Sequence, residues 1–491
     1  MNRRMILYIV ALALTVEAGF MLFPALVGLI YREKAAVWFF IVALMEAILC
    51  LPFVKDRPED RRFAVKEGCI ATALCWIGMS AVGALPFYLS KTIPSYIDAL
   101  FEMVSGFTTT GASIVASVEK LPYCVNFWRC LSHWIGGMGI LVFLMMVVQM
   151  ADASNINLLR AESPGPSVGK ITPKMRQTAR LLYIIYIALS VLQFILLLLG
   201  KMPVFDALCT TFGTAGTGGF GIKNDSFASY SPYLQWVTAI FMILFGINFN
   251  AYAFLLFKRF KQAFTMEEVR YYLLVIAAAV VLITIDVSNY FHSFGETLRH
   301  AVFQVGSIVT TTGFATEDFN VWPGSSRLIL VMLMFIGACA GSTGGGIKVS
   351  RFAISIKAVG KELKTYLHPK RVHKIQMDGV PVERDVIRGI NVYLFTFLMI
   401  FVSSVLLISL DGKDLVTTVT AVCATLNNIG PGLGVCGPTG NFASFSYFSK
   451  IVMMFDMIAG RLELFPLLML FYPPCLKALL KKEKEQTRFK F

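Results

Sequence analysis

Long apolar runs alternate with short polar stretches along the whole chain. Spans can be drawn at 5–30, 36–54, 68–90, 125–150, 179–200, 233–257, 271–293, 327–350, 387–410 and 444–475. Many reach the roughly 20 residues that a helix needs to cross a bilayer, so ten transmembrane helices are expected and no soluble domain fits between them. The polar stretches are of two kinds. Arg3 and Arg4, Lys55 to Lys66, Arg160 to Arg180, Lys258 to Arg270, Lys348 to Lys374 and Lys477 to Lys482 are basic and fall on one side of the membrane. The stretches 91–124, 201–232, 294–326 and 411–443 fall on the other and are poor in Lys and Arg. The positive-inside rule then places both termini in the cytoplasm. The first run is too long for a signal-peptide core and is expected to stay as a membrane anchor.

Each of the four outer stretches opens with an apolar segment of half-membrane length and then reaches a glycine peptide. The peptides are Phe107 to Ala112, Ala215 to Phe220, Val309 to Phe314 and Asn427 to Pro431. Aligned on Gly111, Gly219, Gly313 and Gly430, the residues thirteen earlier are Asp98, Asp206, His300 and Thr417, and the glycines are 108, 94 and 117 residues apart. That is an internal repeat of helix, re-entrant half-helix with loop, and helix. It predicts an all-α membrane fold with four re-entrant pore loops in fourfold pseudo-symmetry. The expected division is an N-terminal two-helix extension at 1–62, repeats at 63–155, 156–262, 263–375 and 376–476, and a basic tail at 477–491.

Non-helical backbone at membrane depth is tolerated where it is buried in protein or lines a watery cavity. Stacked oxygens from Thr109, Thr110 and Gly111, Thr217, Gly218 and Gly219, Thr311, Thr312 and Gly313, and Asn428, Ile429 and Gly430 are expected to replace water around an ion. Such neutral oxygens suit a monovalent cation, without deciding between potassium and sodium. Four half-helices entering from outside also aim their negative ends inward.

Two features fall below the expected filter. Gly341, Ser342, Thr343, Gly344, Gly345 and Gly346 interrupt the helix after the third loop. They read as a flexible barrier, the alternative being close helix packing. Arg461 lies at similar depth in the fourth repeat, where a charge faces a cavity or a partner; projection into the pore and pairing with Asp456 or Glu463 both stand open. Glu17, Glu46 and Asp286 are further intramembrane carboxylates, suited to relaying protons or pairing across helices. His133 reads as a packed interfacial histidine.

Composition agrees with this picture. The 491 residues are 56% hydrophobic and 15% charged, and the net charge of +14 sits at the ends of apolar runs, which makes it a topology signal and argues against a nucleic-acid partner. Ten cysteines lie mostly in apolar stretches without a CxxC pair, as structural thiols do. The GxGxxG match at Gly216 to Gly221 has no preceding strand, and Gly341 to Lys348 lacks a Walker A ending. No catalytic constellation can be assembled, so the chain is not expected to be an enzyme or to carry a cofactor.

The four peptides, the Gly341 to Lys348 break and Gly460-Arg461-Leu462-Glu463 closely resemble the Trk/Ktr/HKT superfamily of potassium transporters, over about residues 63 to 475. The N-terminal helix pair matches the Trk branch. The resemblance implies potassium uptake across a bacterial inner membrane, with potassium as substrate and filter ligand. It further implies a homodimer set in membrane lipid, with one pore per chain. It assigns the gate to Gly341 to Gly346 with Arg461 beside it, and glycine at all four filter positions resembles potassium-selecting members. It also implies a cytosolic nucleotide-binding regulatory subunit, for which the basic stretches 160–180 and 348–374 are docking candidates. The second peptide departs from the pattern, with Ala215 and Gly216 where the first and third have threonines, and the fourth carries asparagines. Proton- or sodium-coupled symport is the alternative within this class, and a membrane receptor or scaffold the alternative outside it.

Overall fold

The computed structural model describes residues 1–58, 65–150, 175–370 and 373–480. The expected boundaries at 62/63 and 155/156, most of the basic stretch 160–180 and residues 481–491 of the tail lie outside the described residues.

Helix α1 (Arg3–Ile30) and helix α2 (Ala36–Lys55) form an antiparallel pair, which packs against α3 (Val65–Gly83). A Cβ at Gly28 would run into Ala36 and Cys124, so the glycine is what lets this pair close on the rest of the protein. The remaining elements follow the expected order of helix, half-helix, helix. After α3 and its short continuation α4 (Leu85–Leu89) come the half-helix α5 (Tyr96–Phe107) and α6 (Tyr123–Met150). Then follow α7 (Met175–Leu199), the half-helix α8 (Val204–Ala215), α9 (Pro232–Phe245), α10 (Phe249–Leu256) and α11 (Phe260–Thr265). The third set is α12 (Glu267–Asp286), the half-helix α13 (Phe294–Val309), α14 (Gly324–Ile336) and α15 (Val349–Leu367). A two-residue hairpin, β1 (Gln376–Met377) and β2 (Val380–Pro381), leads into α16 (Arg384–Ile408), the half-helix α17 (Leu415–Leu426), α18 (Tyr447–Arg461), α19 (Phe465–Phe471) and α20 (Pro473–Leu480). The expected boundary at 262/263 falls within α11.

This is an all-helical integral membrane fold. Among the described residues six helices are long and apolar enough to cross a bilayer, at Arg3–Ile30, Ala36–Lys55, Lys66–Leu89, Arg180–Leu199, Glu267–Asp286 and Arg384–Asp411. The expected sixth span is not straight: α9 and α10 meet at 90°. A Cβ at Gly246 would strike the Tyr272 hydroxyl, and Asn248 restarts the helix by accepting from the Asn250 N–H at 3.0 Å. The eighth span breaks between α14 and α15, with positive φ at Gly337, Gly341 and Gly346. The tenth breaks between α18 and α19, where Glu463 and Leu464 take positive φ and Pro466 starts the next helix. Helix α6 runs unbroken through the corresponding region.

The outer loops are stitched in chain order. Val118 N–H donates to Asn224 Oδ1 at 2.9 Å, and Phe227 N–H donates to the Ala315 carbonyl at 2.8 Å. Gly434 N–H donates to Asn320 Oδ1 at 2.9 Å. Phe442 N–H donates to the Ser113 carbonyl at 2.9 Å and closes the circle from last loop to first. Lys450 on α18 and Asp98 on α5 pair across the same closing seam at 2.7 Å.

Candidate functional site

Ser95, Ser293 and Asp414 cap three of the half-helices by accepting from Asp98, Glu296 and Thr417 N–H, whereas α8 starts at Pro203 without a side-chain cap. All four end alike. Thr109, Thr217, Thr311 and Asn428 have φ of 54°, 53°, 61° and 56°. Their N–H groups reach back to Gly106, Thr214, Ile308 and Thr425 carbonyls, and the next residues' N–H groups reach Ser105, Gly213, Ser307 and Ala424 carbonyls. This is the Schellman ending, with a side chain where glycine ordinarily stands. Threonine in left-handed backbone costs on the order of 1–3 kcal/mol, and such strain collects at functional sites.

Two residues on, Gly111, Gly219, Gly313 and Gly430 take φ of 79°, 76°, 89° and 97°. The space of each missing Cβ is filled by a neighbouring loop. A Cβ at Gly111 would meet the Gly218 carbonyl oxygen, one at Gly219 the Thr312 oxygen, one at Gly313 the Ile429 oxygen, and one at Gly430 the Thr110 oxygen. The four turns therefore form a closed ring with one carbonyl from each loop against the glycine of another, a set of neutral oxygens fit to coordinate a dehydrated monovalent cation. Among the described residues no group of three or more His, Cys, Asp or Glu gathers as a metal site.

The segment 337–348 lies directly against this ring. Gly345 N–H donates to Thr311 Oγ1 at 2.6 Å, Gly346 N–H to the Asn427 carbonyl at 3.1 Å, and Thr217 Oγ1 to the Thr343 carbonyl at 2.9 Å. Glu268 on α12 holds the other side of the segment, accepting from Ala340 N–H at 2.6 Å and Asn248 Nδ2 at 3.0 Å. Lys348 Nζ donates to the Gly344 carbonyl. Arg461 is buried and donates to the Thr343 carbonyl at 2.9 Å and the Gly136 carbonyl at 2.8 Å, so it ties the segment to α6. Neither expected ion-pair partner is bound to it: Asp456 accepts from Ser404 at 2.7 Å, and Glu463 pairs with Arg351. Where the fourth repeat has Gly460 and Arg461, packed on the Leu426 carbonyl, the first has Gly136, packed on the Phe107 carbonyl, and then Gly137.

Behind the ring stand two supports, of which the sequence reading missed the first. Glu102 and Arg129 form an ion pair at 2.7 Å with side chains 0% and 1% exposed. Glu102 also accepts from Ile114 N–H and the Ser113 hydroxyl, while Arg129 reaches Asn126 and lies 4.3 Å over the Phe220 ring. A charge of each sign inside neighbouring apolar runs was the available signal. His133 is the second. Its Nδ1 contacts the Gly106 carbonyl at 2.8 Å, its ring fills the space beside Gly218, and its backbone fills that beside Gly216. The register also corrects the alignment of the second peptide: Gly216 and Gly218 stand opposite the threonines, and Ala215 stands opposite Phe107 and Val309. In the first and third loops those threonines pair their hydroxyls, Thr108 with Thr110 at 2.8 Å and Thr310 with Thr312 at 2.7 Å. In the second loop His133 occupies that room.

Asp286 proves to be a cap, accepting from Ser325 and Ser326 at the start of α14. All ten cysteines are buried.

The family model described as TrkH, cation transport protein, matches residues 35–475. The chain is 36% identical over 483 residues to the Trk system potassium uptake protein TrkH of Salmonella typhimurium, covering 96% of this chain and 99% of that one. It is 31% identical over 459 residues to the Trk system potassium uptake protein TrkG of Escherichia coli, covering 92% and 94%. Among solved structures it resembles the crystal structure of the potassium transporter TrkH from Vibrio parahaemolyticus, with a TM-score of 0.86, 30% identity, and coverage of 97% and 100%.

Proposed function

The chain belongs to the TrkH cation transport protein family, and from that premise we propose that it is a potassium uptake protein of the bacterial inner membrane. Like its relatives it is a transporter and not an enzyme. Potassium is its substrate. The observation that carries the reading is the closed ring of carbonyl oxygens, one from each turn, each seated on a glycine of another loop. In it Thr109, Thr110 and Gly111, Thr217, Gly218 and Gly219, Thr311, Thr312 and Gly313, and Asn428, Ile429 and Gly430 line the filter. Four half-helices end at this ring and add negative potential at a passing cation.

Gly341 to Gly346 serve as the gate, since the segment binds the underside of three filter loops. Arg461 holds that gate shut through the Thr343 carbonyl and adds a positive charge to the barrier. The chain divides into the N-terminal pair at 1–62, repeats at 63–155, 156–262, 263–375 and 376–476, and the tail. Both termini lie in the cytoplasm, on the side of the basic stretches. There a nucleotide-binding regulatory subunit docks and acts on the gate, and two copies of the chain assemble side by side in lipid.

The test is potassium and sodium flux into liposomes carrying the full chain, with growth rescue of an uptake-deficient strain alongside. Selective potassium entry supports the reading. A potassium entry that moves protons or sodium at fixed voltage replaces the channel-like form with symport, and binding without flux points to a receptor or scaffold.

A further inference from the structure

Two carboxyls in the N-terminal helix pair take no part in the pore. Glu17 lies on α1 and Glu46 on α2, and each is 2% exposed. Among the described residues, none of their four oxygens meets a donor from elsewhere in the chain. The antiparallel packing that sets Gly28 against Ala36 brings Glu17, eleven residues back on α1, level with Glu46, ten residues on along α2. A buried carboxyl that no donor answers is held neutral by a proton, because two bare carboxylates side by side at low dielectric repel too strongly to coexist without a cation.

Glu46 borders a cavity, and Glu17 borders the stem of the first filter turn. A cavity of about 290 Å³ is lined by Glu46, Leu14, Cys50 and Val82 together with Leu7, Leu49 and Phe53. Those three are exposed on the bilayer-facing surface. Glu17 presses on Gly83, where a Cβ would lie 2.8 Å from Glu17 Oε1, 2.9 Å from the Phe107 ring and 3.1 Å from Met103. The Gly83 carbonyl accepts from Trp128 Nε1 at 3.0 Å. Phe107 is the last residue of α5, directly before Thr108 to Gly111. One glycine thus separates the carboxyl pair from the stem of the first filter turn.

We propose that Glu17 and Glu46 form a proton-binding site that couples the protonation of the N-terminal helix pair to flux through the filter. Loss of a proton puts two negative charges side by side in an apolar interior. The pair then separates, and Glu17 moves against Gly83 and Phe107. Cys50, one turn along α2, is the further titratable group and lines the cavity beside Glu46; α3, α5 and α6 bring Gly83, Phe107 and Trp128, which carry no charge. The proton chemistry stands apart from the transport reading, while the effect on flux rests on it.

The experiment uses the full chain in liposomes, as wild type, Glu46→Gln and Glu17→Gln. Wild-type-minus-variant infrared difference spectra taken from about pH 5.5 to 8.5, above the ordinary carboxyl range, should show a protonated carboxyl component that titrates in the wild type and whose titration is lost in both variants. Potassium flux of the wild type should change across the same range by at least about fivefold, the lower end of coupling between sites. In both variants the flux should become flat with pH while the potassium-to-sodium ratio stays at the wild-type value. A carboxyl titration identical to the wild type's in both variants, or a flux profile that keeps its wild-type pH response in them, overturns the proposal. A titrating band lost in the variants, with no potassium flux at any pH, supports the proton site and overturns the transport reading.

Discussion

The turn at Gly219 and the turn at Gly430 share one residue type in the stretches Gly216 to Gly219 and Asn427 to Gly430, yet both end a half-helix with the same backbone bonds and the same sign of φ. The helices that follow them have nothing comparable in common. One bends by 90° at Gly246, the third repeat's opens into twelve irregular residues between Ile336 and Val349, the fourth's stops at Arg461, and the first repeat's α6 runs on unbroken. On the proposed function a central ion asks for oxygens from all four sides, which backbone supplies whatever the side chains are. A gate of the kind proposed asks for one obstacle, so a single repeat can supply it.

The ring's dependence on backbone is broken most severely by Gly313→Ser. A side chain there faces a positive φ, worth about 1–3 kcal/mol of strain, and displaces the Ile429 carbonyl. Potassium selectivity over sodium should collapse in liposome flux, and the same should hold for Gly111→Ser; unchanged ratios would remove these turns from the filter. The support behind the first turn comes next. Glu102→Gln leaves Arg129 buried without its partner, so thermal unfolding of the purified protein should report about 3–5 kcal/mol of lost stability, against little change if the pair were solvated.

Arg461→Ala should act below the ring without touching it. Basal flux should rise by about tenfold, equal to about 1.4 kcal/mol of barrier, at an unchanged potassium-to-sodium ratio. A fall in flux would instead make Arg461 a strut. The smallest effect belongs to the caps. Asp414→Ala removes a bond to Thr417 N–H that α8 does without, and should cost about 1 kcal/mol. Hydrogen bonds from Thr417 hold the Asp414 carboxyl below its usual range. Its contribution is therefore present above the ordinary carboxyl pKa and lost as pH falls through the lowered one, so in the variant the acid side of the stability profile should flatten.

The sequence made the turns legible because glycine at a left-handed position leaves a mark that no packing can replace. The half-helices could be placed by counting back from those glycines, and the broken segment by its run of glycines. Hydropathy hid the bend at Gly246, since a window of apolar residues reads the same whether straight or folded. It hid the Glu102–Arg129 pair for a related reason: two charges far apart in sequence each look like an isolated exception until the fold joins them. The room taken by His133 could be seen only once Gly216 and Gly218 were found against its ring and backbone.

The order of the ring has a bearing on synthesis. Each glycine is seated by a carbonyl from another loop, and the last of these seats, Thr110 against Gly430, joins residues at opposite ends of the chain. A nascent chain can insert its first three repeats and still hold an open arc, with the Ile429 oxygen not yet present to fill the space beside Gly313. The ring is thus complete only after most of the polypeptide has left the ribosome, and a chain cut short before its fourth repeat would be a membrane protein whose turns never close on one another.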